Sequence, residues 1–474
     1  MNLAEIAAVV GGSVVHDLGA TVTGPAFVDS RVAEHGGLFV AVVGERVDGH
    51  DYAAAATDAG AAAVLSSRDT GRPGVVVTDP VAALGTLARH CLSRLPRVRV
   101  VALTGSQGKT STKDVLAQVL AAAGRTVATH GSFNNELGLP LTVLRADTTT
   151  EFLVLERGAR HLGDLRASCR IAPPDVALVL NVGKAHLGEF GSQDAIASAK
   201  GEIVEALGPA GVAVLNADDP LVAAMAERTL AQVRTFGATA SADVHLTDIR
   251  LDDLGRPSFT LHTSTARADV SLRLVGEHQA GNAVAAAAVA LALGVPLGVV
   301  APALSSASAT SRGRMEVAER GDGVTVVDDA YNANPDSMRA ALKALAALGR
   351  GRQGSRTLAV LGEMRELGPS SLEEHDAVGR LAVRLDIHRL LVVGEAARPI
   401  HLGASLEGSW GDESVFVPDN DAALGWLREN LAPGDVVLFK ASNAARLSNV
   451  AHAVLADVPP DVPPEVPPAG SVGG

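Results

Sequence analysis

Two cysteines, Cys91 and Cys169, are all that the 474 residues hold. A disulfide framework is therefore excluded, and neither cysteine sits in a metal-ligand spacing, so a reducing cytosol is expected. Cations are outnumbered as well: the formal charge is −13, which argues against a nucleic-acid partner held by phosphate neutralisation. No apolar run reaches the roughly 18 residues of a membrane span, and Ala283 to Leu293 reads as a buried helix, so no stable membrane insertion is expected. The opening Met-Asn-Leu-Ala-Glu-Ile lacks a basic region followed by an apolar core, so no secretory signal is expected. What is plentiful is apolar. Hydrophobic residues make up 47% and charged ones 20%, the composition of a soluble globular chain long enough for about three domains.

The most informative stretch is Val101 to Lys113, Val-Ala-Leu-Thr-Gly-Ser-Gln-Gly-Lys-Thr-Ser-Thr-Lys. The apolar run Val98 to Leu103 predicts a buried strand. From Thr110 the pattern turns helical, with Val115, Leu116, Val119 and Leu120 on one face. A strand, a glycine bend and a Lys-Thr opening a helix make a phosphate cradle: Gly105 and Gly108 let backbone amides approach an anion, and the helix start adds unpaired N–H groups. Thr104, Gly105, Ser106, Gln107, Gly108, Lys109, Thr110 and Ser111 are the candidate nucleotide contacts. Lys109 suits the terminal phosphates and the Thr110 hydroxyl a magnesium ion. Only Ser106 and Gln107 separate the first glycine from Gly-Lys, so the general P-loop pattern is not met. The alternative, an ordinary helix start, stays open on this stretch alone.

The predicted fold class is α/β in three domains. Residues 1–97 read as a small N-terminal α/β domain, and 98–313 as a central P-loop-type parallel sheet whose Asp243 to Val275 stretch alternates like an antiparallel annex. Residues 314–456 read as a Rossmann-like domain lacking a dinucleotide fingerprint in its first turn, and 457–474 as a Pro-rich disordered tail. Within the first domain, Asp29-Ser30-Arg31 and Gly44 to His50 follow strands, where open sheets place ligand contacts; simple surface loops are the alternative. Ser30, Arg31, Asp48 and His50 are the substrate candidates there.

In the central domain Glu156 ends an apolar strand on the same sheet edge as the loop, and His186 follows the next strand end. A lone histidine is more often structural, but three strand ends converging on one loop favour a site. Lys200 invites the reading of a solvated helix face. Asn134 and Asn135 lie in a polar cluster that serves as a helix cap or a substrate clamp. Asp328 to Pro335 puts acids and amides after a strand, as turn formers or as ribose and phosphate contacts.

Thr104 to Thr110, Asn134 to Pro140, Asn181 to Leu187 and Asp328 to Pro335 together resemble the Mur ligase family of peptidoglycan synthesis, in its three-domain order and over almost the whole chain. The resemblance implies an ATP-dependent amide ligase acting through an acyl phosphate. Asp328 to Met338, with Leu361 to Gly368 and His375, points to the addition of D-alanyl-D-alanine to UDP-N-acetylmuramoyl-tripeptide by a cytoplasmic monomer. By the same resemblance, Lys109 holds the phosphates and Thr110 with Glu156 one Mg2+. His186 and Lys200 hold a second Mg2+, Lys200 as a carbamate, and Arg314 reaches the γ-phosphate. Asn282, Asp329 and Tyr331 are implied nucleotide contacts, and Asn134, Asn135, Asn332 and Asn334 substrate contacts. Two departures stand out: Gln279 where the family often has Asn, and Lys440-Ala441-Ser442-Asn443 where it commonly has Lys-Gly-Ser-Arg, with Arg446 a candidate replacement. Rival readings are another Mur ligase, a folylpolyglutamate synthase-like ligase, and a non-catalytic nucleotide-binding regulator; Lys109, Glu156 and His186 argue against the last.

Overall fold

The computed structural model describes residues 1–44, 47–184, 187–352, 354–408 and 413–457; His186 and the Pro-rich stretch from 458 onward lie outside the described residues. The chain divides into two compact units, one of residues 1–251, 256–311 and 366–368, the other of 252–255, 312–365 and the residues from 369 onward.

The first unit carries two sheets. The N-terminal one has five strands in the order Ser13–Val15, Gly74–Val76, Ala63–Ser66, Leu38–Val40, Ala26–Phe27, parallel except for the first. Its helices start on local signals: Asn2 and Glu5 form a capping box for Leu3–Val10, and Asp79 caps Pro80–Ser93 with proline at the first turn.

The larger sheet has nine strands, in the order Arg267–Ser271, Pro257–His262, Val244–Leu251, Gln232–Gly237, Val212–Asn216, Val176–Val179, Arg99–Thr104, Phe152–Glu156, Thr126–Ala128. The first two pairings are antiparallel and the rest parallel, so the annex read from the alternation continues the central sheet. From Arg99–Thr104 the chain fills one side of the sheet with Thr126–Ala128 and Phe152–Glu156, then crosses to Val176–Val179 on the other. Arg99–Thr104 is thus a topological switch point, and its C-terminal end opens the crevice where such sheets bind ligands. Behind it the alanine-rich helix His278–Ala292 packs on the helix Lys109–Ala121, burying Leu116, Val119 and Leu120 against Ala283 to Ala290. Small residues permit this approach, and each fully buried leucine contributes about 1.5–3 kcal/mol.

The second unit holds six strands in the order Glu316–Glu319, Thr325–Asp328, Val436–Lys440, Thr357–Leu361, Arg389–Val393, Ser414–Val417, parallel after the antiparallel first pair. Glu316–Glu319 was not expected. Its sequence, Glu-Val-Ala-Glu, is too short and polar to announce a strand, and pairing with Thr325–Asp328 makes it one.

Candidate active site

The glycine bend is built as its sequence requires. Gly108 sits at φ +78°, the left-handed region that favours glycine, and starts the helix Lys109–Ala121. A Cβ there would lie 2.6 Å from Asn282 Oδ1, so the helix His278–Ala292 touches the bend. Gly105 packs against Leu180, 2.9 Å from where its Cβ would stand. The amides of Ser106 and Gln107 both donate to Asn181 Oδ1, at 2.9 and 3.0 Å, and the Gly183 amide donates to Ser106 Oγ at 2.9 Å. Asn181 was not singled out from sequence, yet it pins the bend to the end of the neighbouring strand. Lys109 Nζ donates to Gly105 O at 2.7 Å, folded over the bend. Thr104 Oγ1 donates to Arg157 O at 2.9 Å, and Thr110 is buried at the helix start. Ser111 is half-buried one residue further on.

Glu156 closes the adjacent strand and is 1% exposed. Its Oε1 accepts from Asn134 Nδ2 at 2.8 Å, while Oε2 is buried without a hydrogen-bond donor among the described residues. A buried carboxylate oxygen without a donor costs free energy that a hard cation would offset, so the side chain fits the magnesium role implied by the resemblance. Among the described residues no three His, Cys, Asp or Glu side chains converge as a metal cluster. Asn135 Oδ1 accepts from the Gly138 amide at 2.9 Å and holds the start of the helix Gly138–Val143.

Lys200 overturns the solvated-face reading. It is 3% exposed, on the inner side of the helix Gln193–Glu205 with Ile196, Ala199 and Ile203. Burial, with the Lys109 charge as a lesser cause, pushes its amine far below the ordinary lysine value. No carboxylate among the described residues pairs with it. The signal was present: Ile196, Ala199, Lys200, Ile203 and Val204 follow the i, i+3, i+4, i+7, i+8 spacing of a buried face.

Of the N-terminal candidates, Arg31 is exposed and forks onto Asp29, donating from Nη2 to Oδ2 at 2.7 Å. That pair pulls the Asp29 carboxyl down to about 2. Ser30 begins the short turn that Asp29 caps. His50 is 6% exposed, with Nδ1 against Asp48 Oδ1 at 2.6 Å and Nε2 accepting from the Ser67 amide at 3.1 Å. Both ring nitrogens are engaged inside the domain, and Asp48 also accepts from Arg68.

In the second unit, Arg314 lies over the Tyr331 ring, 4.3 Å from its centroid. The Asp329 carboxylate is shared: Oδ1 accepts from the Met315 amide at 3.1 Å and Oδ2 pairs with Lys440 Nζ at 2.6 Å. Lys440 also donates to Asn332 O at 3.0 Å, so it ties together the loop that the Asp-Asp motif begins. Asn334 caps the helix Pro335–Gly351 in a capping box with Ser337. Arg446 stands in the left-handed region at φ 53°, ahead of the helix Leu447–Ala456. His375 is fully buried, its Nε2 accepting from the Met364 amide at 2.9 Å.

Three segments match known families: residues 26–90 the Mur ligase family catalytic domain, 103–290 the Mur ligase middle domain, and 313–443 the Mur ligase glutamate ligase domain. The UDP-N-acetylmuramoyl-tripeptide–D-alanyl-D-alanine ligase of Mycobacterium tuberculosis is 50% identical over 96% of this chain and 98% of its own. Among solved structures, MurF from Acinetobacter baumannii superposes with a TM-score of 0.84 at 32% identity, covering 96% of this chain and 99% of that one. The MurF ligase from Thermotoga maritima in complex with ADP superposes with a TM-score of 0.76 at 33% identity, covering 91% and 97%.

Proposed function

The chain belongs to the Mur ligase family, and from that premise we infer that it joins D-alanyl-D-alanine to UDP-N-acetylmuramoyl-tripeptide in peptidoglycan synthesis, converting ATP to ADP and phosphate. The observation that carries this reading is the likeness, over nearly the full length of both chains, to a relative that bears that activity in its name. The glycine bend at the switch point supplies the nucleotide site the activity needs. ATP and a UDP-linked precursor are the currency of the cytoplasm, where the reading puts the enzyme.

A carboxylate and an ammonium do not condense in water. The γ-phosphoryl group is therefore transferred to a peptide carboxylate oxygen, breaking the bond to ADP and forming an acyl phosphate. The dipeptide amine, having lost its proton, attacks the acyl carbon, and phosphate leaves from the tetrahedral intermediate. Little covalent work falls to the protein in such transfers; positioning and charge neutralisation carry the rate. Lys109 swings from Gly105 O to the terminal phosphates, and the helix-start amides after Gly108 cradle them, while Asn181 holds the Ser106 and Gln107 amides and so fixes the shape of the bend. Arg314, Asn282, Asp329 and Tyr331 keep the nucleotide roles that the resemblance gives them, and Asn332 a substrate role.

Thr110 and Glu156 would hold one magnesium ion, and His186 with carbamylated Lys200 a second. When bound, the two ions neutralise phosphate charge and steady the transferred group. A bare amine is a poor partner for a hard cation, whereas a carbamate offers carboxylate-type oxygens. The burial of Lys200 without an acid partner among the described residues supports that modification, because burial favours the uncharged amine, the form that attacks CO2.

The test is phosphate release with ATP, Mg2+ and UDP-N-acetylmuramoyl-tripeptide, comparing D-alanyl-D-alanine with single amino acids. Release with the dipeptide alone is expected. Release that requires a single amino acid instead would assign the chain to another member of the family.

A further inference from the structure

Glu156 is held from both ends by one segment. Its backbone amide donates to Thr129 Oγ1 at 3.1 Å, and its Oε1 accepts from Asn134 Nδ2 at 2.8 Å. Asn134 is itself fastened past the strand end, where its carbonyl accepts from the Gly158 amide at 3.1 Å. Asn134 therefore presents its NH2 to Glu156, where the carboxyl oxygen accepts. Its Oδ1 then faces Gly158, where an added Cβ would lie 2.9 Å away. Glu156 Oε2, buried and without a donor among the described residues, is the oxygen left over.

We propose that Asn134 is a positioning residue for the metal carboxylate: it occupies Oε1, and so fixes Oε2 as the oxygen presented to the divalent cation. Gly158 belongs to the same device, because the absence of a side chain there leaves room for the Asn134 amide. The proposal rests on the reading of Glu156 as a magnesium ligand, and it gives Asn134 a role distinct from the substrate contact that the family resemblance implies. Groups that orient a ligating carboxylate typically govern about 10–100-fold in metal affinity.

The experiment measures Mn2+ binding in the presence of ADP, by the electron paramagnetic resonance signal of free Mn2+, in the full chain. Asn134→Leu, which keeps the volume and removes the donor, is expected to weaken Mn2+ by about 10–100-fold. Gly158→Ala, which touches neither metal nor substrate but crowds the amide, is expected to weaken it in the same direction by less. The Gly158 variant keeps the test alive should Asn134→Leu fail to fold, as thermal melts would show. Unchanged Mn2+ affinity in folded Asn134→Leu, or in Gly158→Ala, overturns the proposal. Glu156→Gln separates the two levels: if it too binds Mn2+ as the wild type does, the metal assignment itself fails; if it alone loses Mn2+, only the part given to Asn134 falls.

Discussion

Lys200 and Lys440 are both buried lysines, one in each compact unit, with exposures of 3% and 2%, and they solve the same electrostatic problem in opposite ways. Lys440 reaches Asp329 Oδ2 at 2.6 Å and the carbonyl of Asn332, so its charge is met inside the fold. Burial lowers its pKa, and the Asp329 charge works against that lowering. Lys200 finds no carboxylate among the described residues, and the nearby Lys109 charge adds to the effect of burial. Burial shifts an amine that meets no carboxylate among the described residues toward its uncharged, nucleophilic form, whereas a clasping carboxylate holds the charged one. Under the proposed function, the contrast sets a lysine suited to carbamate formation against one tied into the fold by Asp329.

Removing each side chain should break the comparison in a different place. Lys200→Ala is expected to lower kcat by about 10^3-fold or more, as is Lys109→Ala, while circular dichroism shows both folded. Ligase activity within a few-fold of wild type in Lys200→Ala would mean that its burial has no catalytic purpose. Lys440→Met leaves Asp329 buried without its counter-charge and should cost about 3–5 kcal/mol of unfolding free energy, read by urea titration. Lys200→Met should go the other way in metal-free protein, gaining about 1 kcal/mol, because an unpaired buried amine gives way to a thioether chain. A loss of stability there as large as that of Lys440→Met would erase the distinction.

The smallest effect concerns Asp328, buried beside Asp329, with Oδ2 lacking a hydrogen-bond donor among the described residues and with His452 Nε2 3.6 Å away. Burial raises its pKa above the ordinary aspartate value of 3.8. The folded chain therefore holds this proton to higher pH than the unfolded chain. Its contribution is fully present below pH 3.8 and is lost as pH rises through the raised folded value. Asp328→Asn should thus stabilise the protein at pH 7, with the advantage vanishing toward acid. Denaturant titrations across that range would show an advantage independent of pH if the carboxyl were not the cause.

What could be read in the chain was what is local in it. The bend Thr104 to Thr110 announces itself because strand, glycines, lysine and helix follow one another, and the parallel sheets because apolar runs alternate with helical ones. Asn181 was missed because its work is to accept from amides more than seventy residues earlier, across a strand pairing that no short motif encodes. Asn334 carried a readable signal of another kind, since an Asn-Pro step with Ser337 three residues on is a helix start before it is a ligand contact. For Lys200 the residue type alone favours a solvated face, and it is the spacing of its apolar neighbours that marks the buried one.

The most direct test is 13C NMR of the protein equilibrated with 13C-bicarbonate near neutral pH. A single carbamate carbonyl resonance, lost in Lys200→Ala and retained in Lys440→Met, is the predicted result. A wild-type spectrum without that resonance, or one in which it survives Lys200→Ala, would contradict the account.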